Sequence, residues 1–296
     1  MKNNKLPYIF ILDLDNTIIG NANIYAQESM ILDFIFKYCK INNIIGNCKK
    51  KIDIIDELNE GLLRPYFSDF INFIKKKYID VEIFVYSKGG YTYIYGGIME
   101  NIEKITKIKF NKPYFTRNDS TNGYKLLGNI IDEIFIQLIK KYPLLKIDEN
   151  KKKVFNNQLV FIDDIPENLK DYKEKQIVCP KYNYEPYYNI KEKIINKYNV
   201  DPSVFDNKDI LDYFEKYYIP IYNQNGSIKQ KDMEYFNLLQ IKNIRHDELL
   251  SNETLNDTFF KDLISILNKN KTIRKFDKID DINKELNDLK QSIINP

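Results

Sequence analysis

Three short apolar runs set the rhythm of the chain. YIFIL at 8–12, VEIFVY at 81–86 and QLVFI at 158–162 are rich in branched and aromatic residues, and they lead into Asp13, Ser87 and the Asp163–Asp164 pair. Such runs predict buried strands. Between them the period changes. In RPYFSDFINFIKKKY the apolar positions Phe67, Phe70, Ile71 and Ile74 recur at helical spacing, with Pro65 placed for a first helical turn. Further helices are predicted over about 93–105 and over 128–141, the latter with Ile130, Ile131, Ile134, Phe135 and Leu138 on one broad face. Near-continuous apolar strands alternating with helices predict an α/β fold, a parallel sheet with helices on both faces. Ligands of such sheets gather outside the carboxyl ends of the strands, so the three polar endings are predicted to meet at one edge.

Two regions break the alternation. Residues 20–60 predict a helical insertion after the first strand, with Met30, Ile31, Phe34, Ile35 and Tyr38 on one face. It reads equally as a cap over the site or as an ordinary packing helix. Residues 186–296 predict a helix-rich C-terminal extension with no recognisable chemistry, including the Tyr-dense DILDYFEKYYIPIY. There Ile279, Ile282, Leu286, Leu289 and Ile293 keep coiled-coil spacing for only about two heptads, so a docked amphipathic helix is expected instead. The division expected is a domain over 1–185 and a C-terminal region over 186–296.

Composition narrows the class. With 43% hydrophobic and 29% charged residues, the 296-residue chain is globular rather than disordered. Lys+Arg 45 against Asp+Glu 42 leaves a net charge of +3, too balanced to argue for nucleic-acid binding. Cys39, Cys48 and Cys179 lack metal-ligand spacing and are odd in number, which suits reduced thiols in an intracellular protein. No apolar stretch is long enough for a membrane span and MKNNKLPYIF is no signal peptide, so no membrane partner is expected. The heavy use of Asn, Lys, Ile and Tyr matches the coding bias of an AT-rich genome, such as that of a large DNA virus.

The chemistry starts at DLDNT. Side chains two apart on a strand point the same way, so Asp13 and Asp15 can face one pocket. Two carboxylates this close repel, and a divalent cation is the usual remedy. Magnesium completes its shell with waters and phosphate oxygens, which points to a phosphorylated substrate. One aspartate can attack as a nucleophile while the other protonates the leaving alkoxide and later activates water. A lysine and the metal would neutralise the equatorial oxygens.

DLDNT resembles the first motif of the haloacid dehalogenase (HAD) superfamily of phosphotransferases, DxDxT after a first strand. Ser87 is similar to its second motif, Lys125 to its third, and FIDDIPEN to its acidic fourth. More narrowly, LRPYFSDFINFIKKKYIDVEIFVYS and YFTRNDSTNGYKLLGNI resemble segments of the small C-terminal-domain phosphatases, the NLI-interacting-factor-like family. The resemblance covers roughly residues 8–185, in the right order. It implies a HAD-like fold and a Mg-dependent phosphatase with Asp13 as nucleophile and Asp15 as general acid/base. Thr17, Ser87, Arg117 and Lys125 would bind the phosphorylated substrate, and Asp13, Asp15 (by its backbone carbonyl), Asp163 and Asp164 would hold the metal. The substrate implied is phosphoserine or phosphothreonine in a protein, such as the tail of RNA polymerase II.

Each motif also has a plainer reading. Ser87 can simply bond backbone, Lys125 can be a solvated side chain, and the Asp163–Asp164 pair can cap a helix before Pro166. Arg117 can hold phosphate or pair with a nearby acid, and His246 lies outside every motif. Asn16 and SKGG depart from the family pattern, which leaves a nucleotide, a polynucleotide end or a small metabolite open as substrate. A receiver-type phosphoacceptor carries its acidic pair first, against the order found here. A non-catalytic scaffold recruiting partners through 186–296 is the remaining alternative.

Overall fold

The computed structural model describes residues 5–20, 35–36, 54–182, 195–208, 257–269 and 275–294. The chain divides into two compact units. One comprises Met1–Gly20, Leu58–Tyr182 and Asp257–Pro296, and the other Asn21–Glu57 and Asn183–Asn256.

The first unit is built on strands β1 (Tyr8–Leu12), β2 (Val81–Val85), β3 (Leu159–Asp163) and β4 (Gln176–Val178). They form one parallel sheet in the order β2-β1-β3-β4. Its helices are α1 (Phe67–Lys77), α2 (Met99–Thr106), α3 (Leu127–Ile139), α4 (Asp148–Gln158), α5 (Phe259–Lys269) and α6 (Ile279–Ile294). Alternation along β1 sends its side chains to opposite faces. Ile9 and Ile11 join Phe84, Tyr86 and Phe161 in a core with Leu127, Ile130, Ile134 and Leu138 of α3. Phe10 meets Phe70 of α1 edge-on at 6.1 Å, and Phe70 stacks on Phe260 of α5 at 5.0 Å. Helices cover both faces, as the apolar runs require.

The elements agree with the sequence pattern except where tertiary partners or special backbone intervene. The first helix begins at Phe67, two residues after Pro65, because Tyr66 adopts a left-handed conformation (φ 60°, ψ 6°). The helix expected over 93–105 is split: Gly97 (φ 126°) ends a wide turn over Ile94–Ile98, and α2 follows. At the start of α3, the Asp171 carboxylate accepts from the backbone N–H groups of Leu127 and Gly128, both at 2.8 Å. Helix α4 has only Val154 fully buried, so its sequence carries no apolar stripe to read.

Helix α6 docks along the short strand β4. Asn283 accepts from Val178 N–H at 3.0 Å and donates to Gln176 O at 2.9 Å, giving the sheet edge partners it would otherwise lack. Ile279 and Ile282 of the apolar stripe are buried there. In the second unit the helical turn Ile54–Glu57 places a buried Glu57 against Lys197 at 2.6 Å. The helical face Met30, Ile31, Phe34 and Tyr38, and the segment 209–222, lie outside the described residues. Among the described residues no helix is long and apolar enough to cross a membrane.

Candidate active site

The strand order places a topological switch between β1 and β3, since the chain leaves β1 to one side and returns on the other. Such a switch opens a crevice at the carboxyl ends of the two strands. Asp13 follows β1 directly, its N–H donating to Ile162 O at 2.9 Å, and Asp163 ends β3. Lys125 reaches between them. Its ammonium donates to Asp13 Oδ1 at 2.5 Å and to Asp163 Oδ2 at 2.6 Å, with all three side chains buried. The lysine is fixed through its backbone: Lys125 N–H donates to Asn168 O at 2.8 Å in the loop after β3. The solvated-lysine reading is therefore excluded.

Asp13, Asp163 and Asp164 each bring a carboxylate oxygen within 4.8 Å of the others. Asp163 is the most fully partnered of the three: besides Lys125, its Oδ1 accepts from Ile165 N–H at 2.8 Å and Asn168 Nδ2 at 2.9 Å. No helix begins at Ile165–Glu167, so the acidic pair caps none. Asp164 Oδ1 is buried without a hydrogen-bond partner. Burial, with the Asp163 charge beside it, pushes the Asp164 carboxyl up to about 6. Burial likewise pushes Asp13 well above its usual range, with Lys125 opposing and Asp163 and Asp15 adding to the rise. A crowded set of oxygen ligands with one unpartnered buried oxygen fits a hard divalent cation such as Mg²⁺.

Asp15 meets neutral donors. Tyr93 OH donates to its Oδ1 at 2.9 Å and Ser87 Oγ to its Oδ2 at 3.5 Å. Ser87 is buried at the end of β2, and its Oγ accepts from Gly89 N–H at 2.9 Å. A Cβ on Gly89 would lie 2.7 Å from the Tyr93 ring and 2.9 Å from Ile94, so this glycine lets Tyr93 fold back toward Asp15. Thr17 is fully buried, its hydroxyl 3.5 Å from Cys179 Sγ, so it faces the interior. Arg117 is exposed and its Nε donates to Lys88 O at 3.0 Å. The neighbouring acid, Asp119, instead caps its own turn by accepting from Thr116 N–H at 2.7 Å.

The structure thus gathers Asp13, Lys125, Asp163 and Asp164 in one cluster and links Asp15 to Ser87. Three contributors carried no sequence signal. Tyr93 sits in a stretch of similar tyrosines, and Asn168 ends a motif read only for its acids. Lys88 directly follows Ser87, and its ammonium donates to Asn168 Oδ1. Burial lowers the Lys88 ammonium below its usual range, with the Lys125 charge adding to the effect.

No family model and no curated protein matches the chain. Among solved structures it is similar to a variant of the fission yeast RNA polymerase II CTD phosphatase Fcp1 bound to beryllium fluoride, with TM-score 0.40 and 16% identity, covering 90% of this chain and 63% of that one. A second structure, of Fcp1 as an essential RNA polymerase II CTD phosphatase, gives TM-score 0.33 and 15% identity, covering 85% of this chain and 64% of that one. The chain spans less than two thirds of the length of either.

Proposed function

We propose that this protein is a HAD-type, Mg-dependent phosphatase that works through an aspartyl-phosphate on Asp13, with phosphoserine or phosphothreonine of a protein as substrate. The observation that carries the reading is the buried Lys125 shared by Asp13 and Asp163 beside the unpartnered oxygen of Asp164. A purely structural cluster would balance its charges and satisfy its oxygens.

Asp13, Asp163, Asp164 and the Asp15 backbone carbonyl would hold Mg²⁺, with Asp163 also accepting from Lys125, Ile165 N–H and Asn168. When bound, the cation supplies positive charge to the phosphoryl oxygens and relieves repulsion among the carboxylates. Asp13 Oδ2, the oxygen not held by Lys125, attacks phosphorus, and the bond to the substrate oxygen breaks. Asp15 gives that oxygen its proton. Asp15 then takes a proton from water, the water oxygen attacks phosphorus, and the bond to Asp13 breaks, returning both aspartates to their starting states. Lys125 and Ser87 hold the transferring group, while Lys88 and Arg117 furnish a cationic rim suited to a phosphorylated chain.

Phosphate release from an aryl phosphate and from phosphoserine and phosphothreonine peptides, with and without Mg²⁺, tests the reading. Wild type should turn over only with the cation, and Asp13→Asn should lose roughly 10⁴-fold or more in kcat. Retained turnover in the variant removes Asp13 as nucleophile, and phosphate release from the aryl phosphate but from neither peptide removes the protein substrate.

A further inference from the structure

The turn that carries both catalytic aspartates is gripped from below. After Asp13 the chain curls over Leu14, whose carbonyl accepts from Ile18 N–H at 2.9 Å and Ile19 N–H at 3.0 Å, and Asn16 takes a left-handed conformation (φ 59°). The curl turns the Asn16 and Thr17 carbonyls inward. Arg64 meets them: its Nη1 lies 3.4 Å from Asn16 O and 3.5 Å from Thr17 O, and its own N–H donates to Ile18 O at 3.0 Å. The arginine is 1% exposed. Two contacts of that length do not orient a guanidinium by themselves.

What orients it comes from the far end of the chain. Asp257 receives Arg64 Nε at 2.9 Å and Nη2 at 2.8 Å, a two-pronged pair that fixes the guanidinium plane. The rings of Phe259 at 4.7 Å, Tyr182 at 5.5 Å and Phe260 at 5.6 Å surround the cation. Asp257 is itself set by α5, since its Oδ1 also accepts from Phe259 N–H at 3.4 Å in the first turn of that helix. With both carboxylate oxygens and the fork engaged, only Nη1 points to the turn.

We infer that Asp257 is a positioning residue for the phosphatase site, acting through Arg64 to hold the Asp13–Thr17 turn at the angle that places Asp13 and Asp15 on opposite sides of the reacting phosphoryl group. The inference rests on the phosphatase reading for its kinetic readout. It also assigns a task to the segment after residue 256, in which the sequence shows no chemistry of its own.

The test uses the full chain. Asp257→Asn removes the charge and leaves Arg64 buried without its partner. The double variant Arg64→Met with Asp257→Leu replaces the pair by apolar groups, a change that tends to preserve the fold. For each, kcat and KM on an aryl phosphate, the melting temperature, and hydrogen exchange at the amides of Ile18 and Ile19 are measured. A misplaced turn should cost about 10²-fold in kcat and leave KM within about twofold, because the groups that bind phosphate are untouched. The double variant should melt close to wild type, keep the low kcat, and exchange those amides faster. A double variant with wild-type kcat and exchange shows the pair to be only structural and overturns the inference. Should both variants fail to fold, Asp257→Glu, which retains the charge and shifts the fork by one methylene, decides by the same split between kcat and KM. An inactive wild type overturns the phosphatase reading instead, and the exchange comparison still reports on the turn.

Discussion

At the amino end of β2, Glu82 is 3% exposed, and at the carboxyl ends of β1 and β3 Asp13 and Asp163 are buried as deeply. Both are carboxylate sites of one sheet, yet they are completed differently. Glu82 takes Asn111 Nδ2 at 2.7 Å on one oxygen, and Lys141 at 2.5 Å together with the Tyr142 hydroxyl on the other. That is one negative charge, one lysine and two neutral donors, with Lys141 reaching in from a 59% exposed position. At the other end three carboxylates crowd together, two of them sharing the buried Lys125, and one oxygen of Asp164 has no hydrogen-bond partner. A buried acid that only holds the fold together is neutralised and satisfied; an excess of buried negative charge is relieved by taking up a proton or by a cation that binds there.

The widest separation between the two ends should come from their lysines. Lys125→Met should lower kcat by roughly 10³-fold or more and cost about 3–5 kcal/mol of stability, since it leaves two carboxylates buried together. Lys141→Met should leave kcat unchanged and cost about 1–3 kcal/mol, because Glu82 stays buried but keeps its two neutral donors. Urea unfolding and phosphate release on both variants measure this. Equal losses at the two positions would erase the distinction.

Asp164→Asn sharpens it with the opposite sign. The Asp164 carboxyl is pushed up to about 6 from an ordinary 3.8, so the folded protein holds this proton more tightly than the unfolded chain does. Its stabilising contribution is complete below about pH 4 and is lost as pH rises through about 6. Without metal, Asp164→Asn should therefore gain about 2 kcal/mol at pH 8, after allowance for partial solvent screening, and nothing at pH 4. Mg²⁺ should raise the wild-type melting temperature and leave the variant's unchanged. A variant less stable than wild type at pH 8 would make Asp164 a structural acid like Glu82.

How far this was legible beforehand follows from the range of each interaction. The three strands and the polar residues after them are local features, and an apolar run ending in a carboxylate or hydroxyl is visible within a dozen residues. The gathering of Asp13, Lys125 and Asp163 was legible only through motif resemblance, because the lysine lies in a polar stretch with no apolar periodicity. Thr17 reads as a site residue by position, whereas the left-handed Asn16 turns its hydroxyl toward Cys179. The Arg64–Asp257 pair was invisible, since its members stand 193 positions apart and neither neighbourhood marks the other. Helix α3 was foreseen by its stripe, but its start is set by Asp171, a partner more than 40 residues along the chain.

The smallest expected effect lies inside the site and concerns Asp15, the acid there that meets neutral hydroxyl donors. Its oxygens meet the hydroxyls of Tyr93 and Ser87. Burial, followed by the charge of Asp15, pushes the Tyr93 phenol well above its usual range, so it remains a hydrogen-bond donor through the neutral range. A neutral donor contributes direction without cancelling charge, which suits the alternating proton transfer proposed for Asp15. Tyr93→Phe keeps the ring and removes the donor, so kcat should fall about tenfold with KM unchanged. Steady-state kinetics on an aryl phosphate read this directly. An unchanged kcat would mean that Asp15 is oriented without the Tyr93 hydroxyl, and a raised KM would place that hydroxyl on the substrate instead of on the acid.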